Sequence, residues 1–347
     1  MVANNVLARV AGPGARLLAP YNGLQVEWSE SWRPSFDEAL RSLPEMESCP
    51  HELFRLLIQN PSPARKRVAL VSDRGTPVAI AGLRQRSRYS WEPVTQWIVP
   101  GALFPVQPGF LVAALEALQL ELWVAWWRMH SPPPPSRLIR SMESTPTYRM
   151  HRADDFEQYW RQIGYFKTVR RMRNRCRAFK AAVNLADAAE WTIKHWEARW
   201  RKDGATADPS LPDRIAAARY LERQGRHFTI TLLDGDAPIG GATMTVQQRD
   251  LVAGVLFSDL RYRPYGVGDR LIDLSFSLWA ERGYETFDIG GGHEYKRHWA
   301  RQEGERCLFS VCPEPLFRLK QLARLARRLW RRNAAGAAVA PRAGNSP

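Results

Sequence analysis

The chain has 347 residues, long enough for two domains of ordinary size, each with its own core. Hydrophobic residues make up 45% of it and 14 residues are tryptophan, which excludes an intrinsically disordered protein. A formal net charge of +15 predicts a positive surface suited to polyanions: nucleic acid, anionic lipid, or a phosphorylated cofactor or substrate.

Arg9 and Arg16 interrupt any apolar run in residues 1–20, so no secretory signal is expected there. A helix-rich lead-in, Ser35–Asn60, precedes Arg67–Gly82. The latter reads as a strand, a turn at Asp73–Pro77 and a second strand, a hairpin signal. Phe110–Leu118 then reads as a helix and Leu122–Trp127 as a strand. This apolar window contains Glu116, Gln119 and Glu121 and is too short for a membrane span, so both elements are expected to be buried.

Asp154–Gln224 is again rich in helix signals. Within it, Lys167–Lys180 holds seven basic residues and no acid, with Val169, Met172, Cys176 and Phe179 at helical spacing. This predicts one helix with a buried face and a cationic face. The cationic face suits an anionic acceptor, such as a lipid-linked or phosphorylated sugar, or tRNA, or plain solvation. His195–Trp200 falls on the next helix; Arg199 and Trp200 are placed to face an acceptor, while Trp196 and Trp200 at i, i+4 predict core packing.

His227–Ala242 repeats the first hairpin: Asp234 and Pro238 stand 161 residues after Asp73 and Pro77. A helix-then-strand pair follows each hairpin, so the chain reads as a duplicated domain. In the second copy, Leu251–Phe257 reads as a strand. Arg263-Pro264-Tyr265-Gly266-Val267-Gly268 follows, then a helix from Asp269 to Arg282 that stops at Gly283. Thr286–Ile289 is a second strand running into Gly290–Gly292. Strand, glycine loop and helix N-terminus build an anion site from backbone N–H groups and the helix dipole. Arg263, Gly266, Val267, Gly268 and Asp269 are the expected phosphate cradle, with Asp269 also the expected N-cap. At the same offset the first half has Ala102–Gln107, with no glycine, and Pro105 removes a donor. If the protein is an enzyme, its cofactor is expected in the second half.

Glu294, Tyr295 and Lys296 are the candidate catalytic cluster: Glu294 as proton acceptor, Tyr295 as proton donor, Lys296 to hold a carboxylate or phosphate. Asp288 lies in an apolar strand, where an unpaired carboxylate is costly; it must be paired or face a cleft, and a structural hydrogen-bonding role is expected. His293 and His298 have no partner at metal spacing. Cys49, Cys176, Cys307 and Cys312 form no C-x-x-C pair, so reduced thiols and no metal are expected. Pro313–Asn333 reads as a basic amphipathic helix suited to an anionic membrane surface or to docking on the domain. Ala334–Pro347 is expected to be disordered.

The R-x-x-G-x-G loop between strand and helix resembles the pyrophosphate signature of the GCN5-related N-acetyltransferase (GNAT) superfamily. Taken with Lys167–Lys180, His195–Trp200, the Asp234–Gly241 hairpin and Phe287–Lys296, the chain is similar to its FemAB-related branch and CelD-like (BioF-like) acetyltransferase domain. Two departures stand out. Tyr295-Lys296 arrives one residue early, and Val267-Gly268 replaces a Pro-Gly. The resemblance implies an α/β (α+β) tandem GNAT-like fold, a mixed, mostly antiparallel sheet flanked by helices. Its degenerate half spans 1–150 and its acyl-CoA-binding half 151–312; the basic helix 313–333 and the tail 334–347 follow. It also implies acyl transfer from acyl-CoA, acetyl-CoA in the first instance, to an amine or hydroxyl of a polar acceptor, a sugar of envelope or exopolysaccharide biosynthesis. Location is expected to be cytoplasmic, with contact to the inner membrane open. Two alternatives stand beside this reading: a FemABX-type aminoacyl transferase using charged tRNA, and a non-catalytic accessory protein of polysaccharide synthesis.

Overall fold

A computed structural model describes residues 23–338, apart from 88–89, 100–101, 120, 128–135, 152–155, 202–206 and 292–293. The first half runs β1 (Leu24–Ser29), α1 (Pro34–Ser42), α2 (His51–Gln59), β2 (Lys66–Asp73), β3 (Thr76–Ser87), β4 (Ser90–Pro93), α3 (Leu111–Leu118) and β5 (Glu121–Trp127). The second opens with β6 (Ile139–His151), α4 (Phe156–Gln162), α5 (Phe166–Arg175), β7 (Lys180–Val183), α6 (Ala188–Trp200) and α7 (Leu211–Arg223). It continues with β8 (His227–Asp234), β9 (Ala237–Gln247), β10 (Asp250–Ser258), α8 (Val267–Arg282), β11 (Thr286–Gly291), β12 (Arg301–Val311) and α9 (Glu314–Ala338).

Both expected hairpins form. β2–β3 turns through Arg74 and Gly75, both at positive φ, and β8–β9 turns through Gly235, also at positive φ, and Asp236. Two-residue turns of this hand match the twist of the strands they join. The order three-stranded meander, helix, strand thus occurs twice.

A four-stranded sheet runs β1-β2-β3-β4 and an eight-stranded sheet runs β5-β12-β6-β11-β10-β9-β8-β7. The four-stranded sheet is antiparallel throughout. The eight-stranded one is mixed and mostly antiparallel, as the family resemblance implies, with β10–β11 its parallel pair among the described residues. β5 and β6, although early in the chain, pair with β12, so the large sheet draws on both halves. One core gathers Phe36, Phe54, Leu57 and Ile80 of the first half with Phe309 and Val311 of β12. A second packs Trp160, Trp279, Trp299, Phe276 and Phe287 between α8 and the large sheet. Each such side chain contributes about 1.5–3 kcal/mol by leaving water.

Two sequence expectations need correction here. The basic run is not one helix: α5 ends at Arg175, and Lys180–Val183 joins the sheet edge against β8. The unpaired edge of β8 offers backbone partners that outweigh the helical spacing of Phe179. Val169, Met172 and Cys176 are nonetheless buried as expected. At the other end, residues 334–338, expected to be disordered, continue α9, consistent with the high helix propensity of alanine. Residues 339–347 lie outside the described residues. No described helix is long and apolar enough to cross a membrane.

Candidate active site

β10 pairs with β11 only through Asp250–Val252 and Thr286–Asp288; beyond that register the two parallel strands separate. A bulge between Ala253 and Leu256 bends β10 away, and the Thr243 hydroxyl accepts the Val255 N–H there at 2.9 Å. A wedge therefore opens in the sheet, with Asp288 at its apex.

The glycine loop stands at the mouth of this wedge. Gly266 has φ +78 and caps α8; residues with a Cβ rarely adopt that conformation. The N–H groups of Val267, Gly268 and Asp269 open the helix, where no earlier turn supplies acceptors. They border a pocket of about 440 Å³ with Arg263, Ser258 and Arg199. A Cβ on Gly268 would lie 3.5 Å from the Ser258 hydroxyl, so a longer side chain would enter the pocket. All five predicted cradle residues line it, an arrangement that fits a pyrophosphate. Asp269 is not the N-cap: Gly266 holds that position, and burial pushes the Asp269 carboxyl up. The basic helix α5 supports the loop. Arg175 donates to the Pro264 carbonyl at 3.4 Å, and the Cys176 thiol sits 3.3 Å from the Tyr265 carbonyl.

Arg199, Leu256, Ser258 and Ile272 also border a second, larger cavity of about 880 Å³. Its walls come from both halves. Gln96, Trp97, Ile98 and Leu103 belong to the segment that replaces the glycine loop in the first half, while Trp196 and Arg214 belong to α6 and α7. Its floor is a row of paired residues across the sheet, His227, Thr245, Val252 and Asp288, which the pleat turns to one face.

Asp288 is buried and accepts the Gly290 N–H; burial pushes its carboxyl up to about 6, against the pull of Arg149, Arg306 and Lys296. This bears out a hydrogen-bonding role and adds a place in the cavity. Lys296 reaches back to donate to the carbonyls of Ile289 at 2.6 Å and Gly291 at 3.2 Å. Burial, with Arg306 nearby, lowers its ammonium to about 8. Glu294 and Tyr295 share its short 3-10 turn, Glu294–His298, but their side chains lie outside the described residues, as does His293. His227 is fully enclosed: Nδ1 lies 3.1 Å from the Thr245 hydroxyl, Nε2 has no partner, and burial lowers it to about 4.

Three features escaped the sequence. Arg306 lies beside Asp288 with its guanidinium 5.0 Å over the Trp97 ring. Nothing local marks it among so many arginines. Trp200, for which the spacing offered both core packing and a place facing an acceptor, is 60% exposed at the cavity rim. Arg214 pairs with Asp208 at 3.5 Å in a buried charge network that joins the halves, in which Asp213 accepts from Lys66 at 2.7 Å and Asn60 at 2.8 Å. Among the described residues no His, Cys, Asp or Glu group has metal-site geometry.

Residues 164–299 match the profile of the acetyltransferase (GNAT) domain family. No curated protein matches the chain. Solved structures similar to it include a tandem GNAT protein from the clavulanic acid biosynthesis pathway, at 11% identity and TM-score 0.45, covering 84% of this chain and 100% of that one. FemX, at 11% identity and TM-score 0.45, covers 84% and 99%. The C-terminal domain of a putative lysylphosphatidylglycerol synthetase from Agrobacterium fabrum, at 12% identity and TM-score 0.45, covers 79% and 92%. Between α4 and the turn after β11, the chain carries a GNAT-superfamily acetyltransferase domain, for which acyl-CoA-dependent transfer is the typical activity.

Proposed function

We propose that the protein transfers an acyl group, acetyl in the first instance, from acyl-CoA to an amine or hydroxyl of a sugar. The observation that carries this reading is the contiguity of the two pockets. The phosphate cradle at the start of α8 opens, past Arg199 and Ser258, onto a cavity at the strand wedge. Acyl-CoA supplies the activated thioester. The Val267–Asp269 N–H groups and Arg263 hold its pyrophosphate, and the separated stretch of β10 offers backbone N–H groups to a carbonyl oxygen that gains charge. The acceptor's new bond to the acyl carbon forms as the carbon–sulfur bond breaks. Its proton passes to Asp288 on the cavity floor or to Glu294, and Tyr295 or solvent protonates the departing thiolate. An Asp288 carboxyl near 6 is ionised at neutral pH yet basic enough to take a proton. Trp97, Trp196 and Trp200 around the cavity suit the flat apolar faces of a sugar ring.

Calorimetric titration with acetyl-CoA tests the reading. Binding in the micromolar range that is lost in Gly268→Arg supports it. Equal binding in both proteins, or salt-sensitive binding of charged tRNA in place of acetyl-CoA, overturns it.

A further inference from the structure

We infer that the sugar acceptor carries an acidic group, a carboxylate or a phosphate, seated between Lys296, Arg306 and Trp97. The inference rests on the acyl-transfer reading and adds the acceptor's charge.

In the network between the halves cations and carboxylates are matched: Lys66, Arg84 and Arg214 are met by Asp213, Glu92 and Asp208. At the cavity floor two cations, Lys296 and Arg306, face one described carboxylate, Asp288. Both are lowered by burial, and Arg306 further disfavours the charged form of Lys296. Arg306 Nε is buried without a hydrogen-bond partner, and Lys296 commits donors to two carbonyls while retaining a third. An unpaired buried cation is costly, so a surplus beside an open cavity marks the place for an incoming anion.

The first half shapes this corner. Trp97 sits at φ +67, a conformation unusual for a bulky residue. It is held by a buried tie: Arg84 donates to Glu92 at 2.6 Å and to the Gln96 carbonyl at 3.3 Å, and the Thr95 hydroxyl donates to the Leu103 carbonyl at 2.6 Å. The segment that lost its phosphate loop thus presents an aromatic wall to the guanidinium. None of Trp97, Lys296 and Arg306 borders the phosphate pocket, so the anion seat is distinct from the cofactor's.

The experiment uses full-length protein saturated with CoA, which fills the phosphate pocket, titrated with glucosamine 6-phosphate, glucuronic acid and glucosamine. At least one acidic sugar is expected to bind about tenfold or more tightly than glucosamine, and Arg306→Met to abolish that preference with CoA affinity unchanged. The more tightly bound acid identifies phosphate or carboxylate. Trp97→Leu, at a half-exposed site, should weaken binding of the same sugar as a second variant. If CoA binds but glucosamine binds as well as the acids, or Arg306→Met keeps the preference, this inference fails alone. If CoA does not bind, the acyl-transfer reading fails first.

A separate observation carries a second proposal. α9 leaves Leu319, Leu322, Leu325 and Leu329 each more than half exposed, on a helix tethered near its start by Arg140–Glu314 and Lys320–Ser310 contacts. By helical spacing these leucines share one side, and the sequence of the helix also carries Arg318, Lys320, Arg324, Arg327, Arg328, Arg331 and Arg332. The geometry points to an anionic bilayer surface as the partner of α9, the leucines entering the interface beside phosphate headgroups. Flotation with phosphatidylglycerol-containing vesicles should recover the protein, pure phosphatidylcholine should not, and Leu322→Glu with Leu325→Glu should abolish recovery at an unchanged thermal midpoint. Failure to float, or a soluble dimer that the same double substitution makes monomeric, overturns it.

Discussion

At the scale of single residues, the floor of the cavity holds two groups whose titration opposes. His227 is lowered from 6.5 to about 4, so between these values the unfolded chain takes up a proton that the fold refuses. Stability is therefore fully present above about 6.5 and falls as pH drops toward 4. Asp288 is raised from 3.8 to about 6, so over that range the fold takes up its proton first and gains relative stability on acidification. His227→Gln, which can still bond the Thr245 hydroxyl, should shrink the loss of thermal midpoint between pH 7 and pH 5; Asp288→Asn should enlarge it. Thermal melts at the two pH values check both. The Asp288 carboxylate was legible in sequence because an acid in an apolar strand needs an explanation. The isolation of His227 was not, because the sheet register that encloses it is set by residues far along the chain.

Among the elements, helix α8 is tied to the basic helix α5 by a buried charge. Asp273, 1% exposed on α8, receives two hydrogen bonds from Arg173, at 2.7 and 3.0 Å, and a further ion pair from Arg270. Arg173→Met leaves Arg270 in place, so the expected cost is about 1–2 kcal/mol rather than that of an orphaned charge. Because α5 also contacts the Pro264 and Tyr265 carbonyls, the same change should weaken acetyl-CoA binding several-fold. Chemical denaturation and calorimetry on one variant measure the two effects. The run of seven basic residues in Lys167–Lys180 was legible as a feature, yet its division into α5 and β7 was not. Spacing alone does not reveal that β8 has a free edge.

Across the whole molecule, the halves are joined by buried charge and by shared sheet. Asp213 is fully buried and holds Lys66 and Asn60 of the first half, with Arg84 at 3.9 Å. Asp213→Ala should cost about 3–5 kcal/mol, since it strands the buried Lys66 ammonium. Tyr220 donates to Glu52 at 2.9 Å across the same boundary, and β5 adds its strand to β12. Denaturant midpoints of the variant against the wild type measure the loss.

The sequence by itself determined the elements whose signals are local: the two hairpins, the strand–glycine loop–helix of the proposed phosphate cradle, and the lack of glycine at the matching offset in the first half. Each depends on residues a few positions apart, where glycine, proline and hydrophobic spacing act directly on the backbone. Tertiary structure alone decided which charges neutralise one another and which remain in surplus. Lys66 and Asp213 are 147 positions apart, and Trp97 and Arg306 lie in different halves. Pairing over such distances follows from the register of a twelve-strand topology, and the cavity exists only where that topology leaves a gap between β10 and β11.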